Sequence, residues 1–322
     1  MATASIIHAR YDGEELARIE RELDRERRGA AWQRIRTSGS LVTGLAILLV
    51  LLTLGLMTAV FSTGDVNAVD PANRLLPPNS AGHLFGTDDF GRDLLLRVAA
   101  GARTSLMLGA TVGFLSVGLG LFVGMLAGYF RALDQFIMRV CDGIMAIPAI
   151  LLALALVAAL GANTLSLVAS LVVVFTPRVA RIARSRVLSI REETFIEACR
   201  SQGAGHARIL LMHVAPNVVP LLIVQFTLLF ADTVLTEAAL SFLGAGVSAP
   251  AASLGNIIYD GKQVIFNTPW MVVIPSTVLV LVVLSLNLIG DGVEAFLNPQ
   301  ARIRLPRDRW WRRRPQAEGN VA

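Results

Sequence analysis

Apolar residues gather along this chain in six long runs, at residues 39–61, 104–130, 140–160, 165–180, 218–240 and 271–293, and the charged residues fall mostly between them. A helix needs about 20 apolar residues to cross about 30 Å of hydrocarbon, and an open strand cannot cross, because its backbone N–H and C=O groups would lack partners there. The pattern predicts an all-α, polytopic membrane helix bundle with six transmembrane helices. The first run follows a charged stretch over residues 1–38 and exceeds the 7–15 residues of a signal-peptide core, so it is expected to be a retained span.

The fourth run is the shortest and stops at Thr176-Pro177-Arg178, which raises a five-span alternative. Charge placement decides between them. Arg10, Arg18, Arg21, Arg25, Arg27, Arg28, Arg34 and Arg36 precede the first run, and Arg302, Arg304, Arg307, Arg309, Arg312, Arg313 and Arg314 follow the last. Basic flanks stay in the cytoplasm, so both ends are expected inside, and that requires an even number of crossings. Six crossings also place inside the segment holding Arg184, Arg186, Arg191, Arg200 and Arg208. The segment at 62–103 runs against the rule, with Arg74, Arg92, Arg97 and Arg103 outside, offset by Asp65, Asp70, Asp88, Asp89 and Asp93.

Composition narrows the function. With 54% hydrophobic and 16% charged residues in 322, and a mean hydropathy of +0.60, the chain has more apolar surface than a soluble core could absorb. A net charge of +5 raises nucleic acid as a partner, yet the basic residues flank apolar runs and aromatic residues are only 7%, so no nucleic-acid binding is expected. Cys141 and Cys199 make no disulfide framework, and His8, His83, His206 and His213 have no metal-ligand spacing, so no metal site is expected. An ATPase would need Gly-x4-Gly-Lys-Ser/Thr; Gly261-Lys262 is followed by Gln263 and its preceding glycine, Gly255, is misplaced.

Local patterns add detail. Residues 14–35 read as a charged amphipathic helix on the membrane surface or in solvent. Gly109-Gly113 and Gly120-Gly124-Gly128 are spaced by four, which puts small residues on nearly one face of the second span and lets helices approach closely. Between the fourth and fifth spans, Phe195, Ile196 and Cys199 share a helix face, Gly203 can end that helix, and Ala207 to Val214 can form a second before Pro216 and Pro220. Helix, turn and helix would make a rigid knob on the cytoplasmic side.

At this point the sequence resembles the EAA loop of bacterial ABC importer permeases: Glu197, Ala198 and Gly203 with the downstream Pro216, Cys199 standing where alanine is usual. More patches resemble the peptide/nickel branch of that family, its dipeptide and oligopeptide C-type subunits. They are Gly86-Thr87-Asp88-Asp89-Phe90-Gly91-Arg92-Asp93, Gly101-Ala102-Arg103, Arg139 with Asp142 and Pro148, and His213-Val214-Ala215-Pro216-Asn217. Further on come Glu237-Ala238-Ala239-Leu240-Ser241-Phe242-Leu243-Gly244, Asn287-Leu288-Ile289-Gly290-Asp291-Gly292 and Asn298-Pro299. Leu254 replaces a tryptophan common in that family.

The resemblance implies a non-enzymatic transport subunit in a bacterial inner membrane, with an EAA-type coupling helix whose Glu197, Ala198, Cys199, Gly203 and Pro216 dock on an ATPase. It implies a second related permease, two ATPase subunits holding ATP and magnesium, and an extracytoplasmic substrate-binding protein. Peptides are the implied substrate, with nickel chelates as the alternative. The implied layout is an N-terminal cytoplasmic segment (1–38), a first span with its outer loop (39–103), a permease core (104–296) with the coupling loop at about 186–216, and a basic tail (297–322).

Charges inside spans need a reason, since an acid at mid-membrane costs about 2.5–3.5 kcal/mol on the insertion scale. Asp232 and Glu237 are therefore candidates for a polar translocation path; the plainer readings are pairing with another helix for either and interfacial exposure for Glu237. Asp142 is expected to pair with Arg139, and Asp88, Asp89, Arg92 and Asp93 to build a structural turn. A secondary transporter or channel would call for intramembrane ion sites or an inverted repeat, and a membrane enzyme for a nucleophile or metal constellation; neither is legible.

Overall fold

The computed structural model describes residues 38–61, 66–80, 82–248 and 250–297. The surface helix expected at 14–35, the arginine-rich tail and Asn298-Pro299 lie outside them. Among the described residues the chain is helical, with two isolated β-bridges, Ser80–His83 and Thr87–Asp93, and no strand. The elements are α1 (Gly39–Phe61), α2 (Leu94–Tyr129), α3 (Arg131–Met145), α4 (Ala149–Leu160), α5 (Thr164–Arg191) and α6 (Thr194–Ser201). Then come α7 (His206–Arg208), a π-helical run (Ile209–Val214), α8 (Ala215–Phe242), α9 (Leu254–Lys262) and α10 (Trp270–Leu297).

Among the described residues four helices are long and apolar enough to cross a membrane: α2, α5, the continuous stretch His206–Phe242, and α10. The expected third span is broken. It consists of α3 and α4, bent by 92°, which meet the requirement only together. Pro148 explains the break, because it lacks an N–H and drives Ile147 out of the helical region. The first run forms a helix with the expected bounds, 23 residues or about 34 Å long.

Two helices outrun their apolar sequence. Helix α2 begins at Leu94 rather than near Thr104, because the Asp93 carboxylate caps it by accepting from Leu96 N–H at 3.1 Å. Arg97 joins that helix because Asp88 neutralises it 3.3 Å away. Helix α5 does not stop at Ala180; it runs through Pro177 to Arg191. Of the arginines that looked like a cytoplasmic loop, those from Arg181 to Arg191 are helical, and Arg181 and Arg184 meet acids of α3.

Close packing follows the glycines, though they serve two neighbours rather than one. On α2, a Cβ at Gly124 would stand 2.6 Å from the Ala180 carbonyl oxygen, and Gly120 and Gly128 abut Val179 and Val187 of α5 in the same way. Gly109 and Gly113 instead receive Phe230, Val234 and Phe226 of α8. The largest buried cluster, including Val112, Val157, Leu171, Val187 and Leu222, lies along these contacts among α2, α4, α5 and α8.

Candidate coupling and translocation site

The knob is one short helix, α6, followed by a turn into the base of the next long helix. Its far end closes with Gly203 at φ +80°, Gly203 N–H donating to Arg200 O at 2.9 Å and Ala204 N–H to Cys199 O at 3.0 Å. That bond pair is a Schellman cap, and its left-handed residue favours glycine on conformational grounds. A Cβ at Gly203 would meet no atom of this chain within 4 Å.

Ile196 at the root of α6 is fully buried, as are Ile209 and Val214. Cys199 is half-buried against the same cluster, whereas Phe195, expected on that face, is 43% exposed. Glu197, Ala198 and Pro216 are exposed. The second helix of the knob is not separate: α7 is a single turn that passes through the π run directly into α8. Pro216 has no N–H to give to the turn behind it, and the Asn217 amide donates to His213 O at 2.7 Å.

Above the knob, three arginines of α5 at spacing i, i+3, i+6 each meet an acid on another helix. Arg178 Nη1 lies 2.9 Å from Asp232 Oδ2 on α8; Arg181 pairs with Asp142 on α3; Arg184 grips both oxygens of Asp134 on α3, with Nη2 to Oδ2 at 2.6 Å. Asp142 thus pairs with Arg181 and not with Arg139. The Arg178 and Asp232 side chains are 48% and 47% exposed, which suits a water-lined surface better than hydrocarbon.

Glu237, five residues further along α8, sits in the opposite environment. It is 0% exposed. Ser105 of α2 donates to its Oε2 at 2.8 Å and Ser241 to its Oε1 at 2.7 Å; Ser253, the N-cap of α9, donates to Ser241 Oγ at 3.3 Å. A capping box of Ser253 and Asn256 starts α9. Gly101 and Gly255 let it wedge in, since a Cβ on Gly255 would stand 2.5 Å from Ala238 O and one on Gly101 3.0 Å from the Ser253 carbonyl carbon. Three patches distant in sequence therefore meet at one carboxylate.

The other end of α9 is fastened to the segment before α2. Asp88, 1% exposed, accepts from the Phe90 and Arg92 N–H groups, both at 2.9 Å, and from Arg92 Nε at 2.6 Å. Asp260 of α9 lies 3.9 Å from both Arg92 and Arg97. Burial pushes the Asp89 and Asp260 carboxyls above the usual aspartate range; the charge of Asp88 adds to the first shift and that of Asp89 to the second, while Arg92 and Arg97 pull both back. Among the described residues no three His, Cys, Asp or Glu side chains are grouped to hold a metal ion.

A helical membrane bundle with a short capped knob at the foot of one span, and ion pairs between spans above it, has the architecture of a transport permease. The chain belongs to the family of binding-protein-dependent transport system inner membrane components, whose model matches residues 116–303. It is 40% identical over 271 residues to a putative peptide transport system permease protein of Brucella suis biovar 1, covering 84% of this chain and 91% of that one. It is 39% identical over 275 residues to the dipeptide transport system permease protein DppC of Alkalihalophilus pseudofirmus, covering 84% and 90%. The inward-facing MetNI methionine ABC transporter shares the fold, with a TM-score of 0.53 at 24% identity, covering 64% of this chain and 97% of that chain.

Reading the sequence alone missed Arg178, Arg181 and Arg184 as partners of acids on α3 and α8. Their three-residue spacing after Pro177 was the available signal, since it continues a helix rather than a loop. It also missed Ser105, Ser241 and Ser253, small polar residues that only a fold can bring to one point.

Proposed function

We propose that this chain forms half of the membrane path of an ATP-driven importer for peptides, beside a second related permease. Two ATPase subunits and an extracytoplasmic binding protein complete the assembly, and ATP with magnesium is held in the ATPase subunits. The observation that carries this reading is the knob: a capped helix rooted by Ile196, presenting exposed Phe195 beside Glu192, Glu193 and Glu197, with exposed Leu211 and Met212 close in sequence. Exposed apolar residues on an otherwise polar projection suit a protein partner. Peptide is the substrate class favoured by relatives whose names specify peptide or dipeptide transport.

Six crossings, with α1 as the first and the bent α3–α4 pair as the third, place both termini and the knob in the cytoplasm. Closure of the ATPases on bound nucleotide displaces Glu197, Ala198, Cys199 and Gly203, and Pro216 at the base of α8 carries the displacement into the span. The bundle then alternates between inward and outward openings. Asp232, held by Arg178, lines the path. Glu237 has a supporting role: it ties α9 to α2 and α8, so its carboxyl group is kept away from the substrate.

The test is purification of the native complex, with a cysteine at Glu197 (Glu197→Cys) for cross-linking. ATPase subunits are expected to co-purify and to cross-link through that position, and the cysteine is expected to react with impermeant reagents only from the cytoplasmic side. Recovery without ATPases, or labelling from outside, overturns the proposal.

A further inference from the structure

Helix α2 ends at Tyr129 and α3 starts at Arg131, so the two share one connecting residue, Phe130, in extended conformation at φ −100° and ψ 107°. A junction this short has no slack: a displacement of Tyr129 is passed to the first turn of α3. The knob touches the junction at that residue. Tyr129 is buried, and its hydroxyl lies 2.8 Å from Nδ1 of His206 in α7. The rings of Tyr129 and His206 meet edge to face with centroids 5.5 Å apart, and Phe130 packs edge-on to Tyr129 at 5.0 Å and to His206 at 6.1 Å.

Further groups converge on the same turn. The Arg200 guanidinium of α6 lies 5.4 Å over the Tyr129 ring, a cation–π distance. Arg191, the last residue of α5, directs Nη1 to the carbonyls of Gly128 and Tyr129, both at 3.3 Å. Beyond the junction, Asp134 in the first turn of α3 is gripped by Arg184, and Asp142 near its end pairs with Arg181. Both arginines lie on the helix that presents Arg178 to Asp232. Polar and aromatic contacts thus lead from the knob through Tyr129 into α3.

We propose that Tyr129 is the positioning residue that fastens the coupling knob to the α2–α3 junction and passes knob movement into α3. The inference rests on the coupling role given to the knob above. The hydroxyl acts in either tautomer of His206, donating to a bare Nδ1 or accepting from Nδ1–H. Its aromatic stacking keeps the hydroxyl aimed, and the buried site strengthens the bond relative to water.

The experiment uses the complete transporter, with both permeases, the ATPases and the binding protein, reconstituted in vesicles, and reads peptide transported per ATP hydrolysed. Tyr129→Phe removes only the hydroxyl. It is expected to lower that ratio roughly five-fold, equivalent to about 1 kcal/mol at 1.4 kcal/mol per factor of ten, with assembly and ATP turnover unchanged. His206→Phe should give the same loss, the double variant no further loss, and His206→Asn, which keeps a hydrogen-bonding group near the Nδ1 position, a ratio near that of the parent.

A parental ratio in Tyr129→Phe overturns the proposal, and so do losses that multiply in the double variant. Reduced ATPase recovery in Tyr129→Phe also overturns it, since the hydroxyl would then be holding the knob's fold rather than passing on its motion. Failure of the unmodified chain to recruit ATPases overturns the coupling role itself, a separate result.

Discussion

Two acids on one helix, Asp232 and Glu237, have unlike surroundings. Around Asp232 the spans are joined by arginine–carboxylate pairs, half-exposed at Arg178 and Arg181 and more buried at Arg184. Around Glu237 they are joined by serine hydroxyls inside a sealed contact of α2, α8 and α9. An exposed pair can open and reform at little cost, because water takes up both charges. A sealed carboxylate cannot lose its donors without leaving polar groups unmet. The half of the bundle that the proposed mechanism moves is joined by links that can open and reform, and the half that anchors α9 by links that are costly to open.

The largest predicted effect breaks the sealed side. Glu237→Ala leaves the Ser105 and Ser241 hydroxyls without their acceptor in a buried site, and should lower the stability of the purified complex by about 3 kcal/mol; Glu237→Gln, which keeps one acceptor oxygen, should lose less. Thermal unfolding measures both, and an unchanged transition in Glu237→Ala would put Glu237 back among the path residues. On the open side, Asp232→Ala should reduce transport about ten-fold, or 1.4 kcal/mol on the barrier, while leaving the transition in place. Exchanging the pair, Arg178→Asp with Asp232→Arg, should restore part of the uptake; a thermal shift as large as that of Glu237→Ala would erase the contrast.

Smaller effects test the two ends. Gly203→Ala puts a Cβ on a left-handed residue with open space around it, so the cost is conformational, roughly 1–2 kcal/mol. Gly203→Asn should be milder, since asparagine tolerates that region. Transport per ATP should follow the same order, and equal values would remove the cap from the coupling step. The smallest effect concerns Asp89 and Asp260, whose carboxyls are held above the usual range. Their protonated forms are favoured in the folded segment before α2 and its contact with α9, so that region gains from them at acid pH and loses that gain as pH rises from about 4. Limited proteolysis between residues 66 and 93 should therefore be slower at mildly acid than at neutral pH, and Asp260→Asn should flatten the difference.

Much of the fold was legible because its causes are local. The bounds of α1 follow from apolarity, the end of α6 from Gly203, and the close contacts of α2 from its glycines. What escaped was settled across space. The reach of α5 to Arg191 was signalled only by the spacing of Arg178, Arg181 and Arg184, because the acids that neutralise them lie on α3 and α8, far along the chain. The α3–α4 bend had a visible cause in Pro148, yet the surrounding apolar run hid it. At the candidate site, the motif around Glu197 was readable by resemblance, whereas the unlike surroundings of Asp232 and Glu237 became visible only once their neighbours were known.

The π-helical run from Ile209 to Val214 joins the knob to a helix that bears Asp232 midway and Glu237 near its far end. A π turn holds more residues than an α turn. If that run changes between π and α bonding, everything below rotates against everything above by about 100°, one residue's angular step. The rod thereby has a built-in swivel: torque applied at the foot can be taken up as a change of hydrogen-bond partners there, without unwinding the shaft or prising open the clasp at its top.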